Sequence, residues 1–92
     1  MRRFVFAHLA DAHVGAWPRN PALRDRLRSA VLRAIEVASE RNAEFLLISG
    51  DLFHTPSPEP SEAAPVAAAL RRFVATGKRI RALPVNPQLL KA

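Results

Sequence analysis

Residues 45–54, "FLLISGDLFH", set four apolar side chains in a row and follow them with a glycine, a carboxylate and an imidazole. An apolar run of this length without polar alternation reads as a strand covered on both faces in a parallel sheet. Gly50 ends the run, and its conformational freedom lets the backbone turn sharply and bring the Asp51 carboxylate close to the strand end. His54 follows three positions after Asp51.

A second stretch has the same design. "FAHLADAHVGA", residues 6–16, starts as an apolar strand and then places Asp11 and His13 two positions apart. The chain has three histidines, and two of them, His13 and His54, each follow an aspartate beyond a strand. His8, inside the first strand, reads as a core histidine or one that supports a site without entering it.

The remaining elements fall between and after these strands. The first strand spans Arg3 to Leu9, and Gly15 lies in the loop beyond it. Asn20 offers an N-cap and Pro21 a first-turn proline, after which Leu23, Leu27, Val31, Ile35 and Ala38 recur at helical spacing to about Arg41. Arg24, Asp25, Arg28, Arg33, Glu36 and Glu40 form the opposite, solvated face. Asn42 is a plausible stop. "HTPSPEPSEAAP", residues 54–65, holds four of the eight prolines and reads as a loop. A second helix then carries Val66, Leu70, Phe73 and Val74, with Pro65 in its first turn, and stops at Gly77. "RIRALPV", residues 79–85, is the third strand. The order is βαβαβ, an α/β unit whose connections imply parallel strands, right-handed crossovers and helices covering the sheet.

In open parallel sheets, ligands bind beyond the carboxyl ends of the strands. Both Asp/His pairs lie there. An Asp and a His two residues apart can address one ion if their loop curls, and a carboxylate can bridge two ions. Taken singly, each residue has an ordinary explanation: Asp11 as a cap or turn residue, Asp51 as half of a Gly-Asp turn, His13 and His54 as loop residues. Turn chemistry accounts for each carboxylate but not for an imidazole two or three positions after both. Trp17, next to Pro18, reads as a packing residue under the loop rather than as a base-stacking platform. With no cysteine in the chain, a metal would be held by oxygen and imidazole donors, which suits Mn, Fe or Zn better than Ca or Mg. Two such ions clamp a phosphodiester and lower the pKa of a bound water. The phosphate-loop, dinucleotide and serine-hydrolase signatures are absent.

Size and charge set the frame. Ninety-two residues suffice for one small domain with a thin core, and 49% hydrophobic with 24% charged residues is a globular composition. Fourteen Lys and Arg against eight Asp and Glu give a formal charge of +6, which favours polyanions; twelve of the fourteen are Arg, which base composition of the genome explains equally well. There is neither a membrane-spanning run nor a leader pattern, so the expected location is cytoplasmic, with no membrane partner.

"HLADAHVGA" with "LLISGDLFH" resembles the first two motifs of the calcineurin-like metallophosphoesterases, and "GDLFH" is closest to the DNA double-strand-break repair exonucleases of the SbcD type and their relatives. The resemblance implies that Asp11 and His13 bind a first metal, that Asp51 bridges two, and that His54 lies near the scissile phosphate. It also implies Mn2+, cleavage of DNA phosphodiesters, self-association, an SbcC-type ATPase partner, and a chain that is the N-terminal part of the family's sandwich fold. On this reading residues 1–85 form a partial metallophosphoesterase domain and residues 86–92 a divergent tail. The family next expects a Gly-Asn-His-Asp or Gly-Ser-His-Asp element, where this chain has "NPQLLKA", and Asn86 is a poor substitute. Three ligands hold at most one ion loosely. The isolated chain is therefore expected to be a weak or inactive piece of a truncated, split or frameshifted nuclease. The alternatives are a non-catalytic basic module for nucleic acid or a partner protein, and a phosphatase of the same superfamily.

Overall fold

The computed structural model describes residues 4–17, 19–55 and 57–83, within which five elements alternate: β1 (Phe6–Ala10), α1 (Pro21–Glu40), β2 (Phe45–Ser49), α2 (Pro60–Ala75) and β3 (Arg79–Leu83). The three strands form one parallel sheet in the order β1-β2-β3, with Phe6, Phe45 and Arg79 in one row and His8, Leu47 and Arg81 two residues on. The α/β βαβαβ unit expected from the pattern is present. The tail from Asn86 to Ala92 lies outside the described residues.

Each boundary has a local cause. Asn20 Oδ1 accepts the Leu23 N–H at 3.2 Å, satisfying one of the unpaired donors at the start of α1, and Pro21 occupies the first turn. Asn42 adopts a left-handed conformation, φ 57°, just past the helix end. Ala43 then turns inward, and the Glu44 N–H donates to the Val5 carbonyl at 2.8 Å as β2 begins. At the far end of α2, Gly77 takes φ 86° and leads into β3.

The helices do not cover the sheet on both sides. α1 packs against α2 and β1, and α2 against β3, so both lie on one face. Sequential parallel strands joined by crossovers of one hand produce this arrangement, because each helix lands on the same side. Leu46 and Ile48 point into the helical layer and are buried with Val31, Ile35, Ala38, Val66, Ala69 and Phe73. Phe45 and Leu47 point the other way and are only half-buried, so β2 alternates despite its uniformly apolar sequence. On the open face the Phe6 and Phe45 rings stack with centroids 5.0 Å apart, and Phe4 lies 5.8 Å from Phe45.

Three further expectations change. α2 starts at Pro60, so Pro65 sits inside the helix rather than in its first turn. Pro65 costs α2 one backbone hydrogen bond. An ionic clasp anchors this first turn: Glu62, 4% exposed, accepts from Arg28 Nη1 at 2.8 Å and faces Arg24 Nε at 3.1 Å. Arg24 and Arg28 are therefore interhelical partners rather than part of a solvated face, while Arg33 keeps to that face with Glu36 and Glu40. Leu23 and Val74, assigned to apolar stripes, are exposed. Among the described residues no helix is long and apolar enough to cross a membrane.

Candidate functional site

Beyond Ala10 and Ser49 the β1–β2 ladder continues into the loops. The Asp11 N–H donates to the Ser49 carbonyl at 2.9 Å, His13 N–H to Asp51 carbonyl at 2.9 Å, Val14 N–H to Leu52 carbonyl at 2.8 Å, and His54 N–H to Val14 carbonyl at 2.8 Å. Val14 and Phe53 form an isolated parallel bridge, and the Val14 side chain is fully buried. Val14 therefore acts as a pin. The apolar residue directly after His13 fastens one loop to the other, so the two Asp/His segments form a single backbone unit.

The conformation of that unit is specific. Asp11 and His13 both have positive φ, 50° and 49°, where bulky residues pay a steric penalty. Gly50, φ 80°, is required for two separate reasons. Its backbone lies in the left-handed region, and a Cβ at this position would collide with the Asp11 carboxylate Oδ1. The glycine expected to bring Asp51 close thus also makes room for the carboxylate of the other loop.

Asp11, His13 and His54 line one open cleft, with the His13 and His54 rings 6.0 Å apart in an edge-on arrangement. Asp51 is exposed and sits on the same loop unit, with its carbonyl taken by His13, but it is not in the cleft wall. Among the described residues no three His, Asp or Glu side chains are gathered closely enough to hold a metal ion. The donor chemistry, oxygen and imidazole without thiolate, fits a divalent transition metal. His8 is not a core histidine: it is exposed on the open sheet face, with Nε2 hydrogen-bonded to Ser49 Oγ at 2.7 Å. Trp17 is not packed under the loop: it lines the cleft and is 61% exposed. No periodicity marks either residue.

No family model matches the chain. Over 56 residues, 60% of its length, it is 43% identical to the DNA double-strand break repair protein Mre11 of Archaeoglobus fulgidus. A stretch of that length starts no later than residue 37 of 92, so it takes in β2 and the loop carrying Asp51 and His54. The chain spans 13% of the length of that relative. It is similar to a part of an Mre11 protein.

Proposed function

We propose that the chain is the N-terminal part of a metal-dependent DNA repair nuclease of the Mre11-like kind. Asp11, His13 and Asp51 contribute ligands to a divalent metal site, with Mn2+ the preferred ion, and His54 faces the scissile phosphate. The observation that carries this reading is the continued ladder, which fastens the two Asp/His loops to each other at the carboxyl end of the sheet. The likeness to an Mre11 protein, over a stretch that includes the second loop, supports it.

Two bound ions would supply Lewis-acid stabilisation of the attacking and leaving oxygens of a phosphodiester. The chain's own groups do the rest. Asp11 and Asp51 offer carboxylate oxygens, His13 a ring nitrogen, and the ladder holds their backbones in place so that little ordering remains on binding. His54, exposed beside His13, is free to donate a hydrogen bond to a phosphate oxygen. Among the described residues three donors do not converge, and weak metal binding and poor catalysis are expected of the isolated chain. DNA as substrate, self-association and an ATPase partner of the SbcC or Rad50 kind belong to the same proposal.

Calorimetric titration of the chain with Mn2+ tests the assignment. Weak binding is expected for the wild type, and Asp51→Ala should weaken it by at least about tenfold, a loss that even residues merely supporting a ligand produce. Indistinguishable titrations would show that this carboxylate holds no metal.

A further inference from the structure

We infer that Trp17 is a stacking platform for an unpaired nucleobase of the nucleic acid handled in the cleft, an inference that rests on the proposed phosphodiester chemistry of that cleft. The cleft measures about 610 Å³ and its lining is of two kinds. Asp11, His13 and His54 supply its polar lining, and Ala12, Ala16, Trp17 and Leu27 its apolar lining. An indole is the largest apolar surface a side chain can present, and folding normally hides most of it. Here it is 61% exposed, beside the residues assigned to phosphate chemistry.

The backbone beneath it is fixed. Trp17 has φ 64°, a rare conformation for so bulky a residue, which persists when the surroundings enforce it. The Ala16 N–H donates to the His13 carbonyl at 3.0 Å, and the Asn20 N–H to the Trp17 carbonyl at 2.9 Å. Asn20 in turn caps α1. Trp17 is thus held between the His13 loop and a helix start, with its ring left in solvent. This is preorganisation: an exposed aromatic on a fixed backbone loses little freedom when it meets a partner.

A nucleobase is the flat partner that fits. Base–aromatic stacking tolerates any sequence because every base has a π-face, and it requires a base that is not already stacked in a duplex. The formal charge of +6, with exposed Arg19 two residues beyond, provides the attraction for the phosphate backbone. A phosphate at His13 and His54 and a neighbouring base on Trp17 would then share one cleft.

The chain contains a single tryptophan and no tyrosine, so its emission reports on this side chain directly. The test uses the full 92-residue chain in low-salt buffer with Mn2+, titrated with oligothymidylate. Binding is followed by anisotropy of an end-labelled oligonucleotide, and stacking in a parallel titration by tryptophan emission. The expected result is quenching that tracks the anisotropy, an affinity reduced about 5- to 150-fold in Trp17→Ala, and most of that loss restored in Trp17→Phe. Circular dichroism of both variants confirms that they remain folded. Binding without a change in emission, or equal affinity of Trp17→Ala, overturns the role of Trp17 and leaves the nuclease reading standing. Equal quenching by a blunt duplex overturns the unpaired base. No anisotropy change overturns both the platform and the nucleic-acid reading beneath it.

Discussion

The two faces of the sheet are built from the same three strands and have opposite fates. Toward the helices, Leu46 and Ile48 meet Val31, Ile35, Val66 and Phe73 and leave the solvent. On the other side the rows read Phe6–Phe45–Arg79 and His8–Leu47–Arg81, with Phe6 52% exposed. Apolar character alone did not decide which side chains were buried. Position relative to the crossovers did, because both helices come down on one face and nothing among the described residues covers the other. The open face is therefore a mixed aromatic and cationic surface held together by ring contacts, and the covered face is a packed core.

The largest effect should come from the covered side. Phe73→Ala removes a ring that is 1% exposed and should cost about 3–5 kcal/mol of unfolding free energy, measured by urea denaturation. For a domain of this size that is a large share of the total. A loss below about 1.5 kcal/mol would mean that the helical layer is not packed as described.

A smaller effect is expected where the two faces end, at the turn between β2 and the site. Gly50→Ala places a Cβ in a left-handed conformation and against the Asp11 carboxylate, and should cost about 1–3 kcal/mol while weakening Mn2+ binding in the same calorimetric titration. Unchanged stability together with unchanged metal affinity would show that this glycine is not needed to hold the two loops together.

The smallest belongs to the open face. Phe6→Ala gives up the stack on Phe45 and should cost about 0.5–1.5 kcal/mol. If it costs as much as Phe73→Ala, then something covers that face in solution and the contrast between the two faces fails.

Much of the fold was legible because its signals are local. Asn20 and Pro21 mark the start of α1 by cap chemistry, Asn42 and Gly77 mark stops, and the apolar runs mark three strands in an order that implies parallel pairing. The two Asp/His segments were legible as a pair because both follow strands. What stayed hidden depends on residues far apart in the chain. The start of α2 was obscured by its prolines, since the clasp that secures Pro60–Glu62 is supplied by Arg24 and Arg28 of the other helix. The exposed Trp17 and the hydrogen bond between His8 and Ser49 were equally invisible, because neither leaves a periodic trace.

By itself, then, the sequence determined the succession of elements, the parallel sense of the strands and the identity of the four side chains at the strand ends, since caps, turns and hydrophobic runs act over a few residues. Tertiary structure alone decided which face of β2 is buried, that Val14 pins one loop to the other, and that Gly50 clears space for Asp11. Those outcomes depend on where separate segments meet in space, and the steric and hydrogen-bonding terms that set them arise only once the chain has brought those segments into contact.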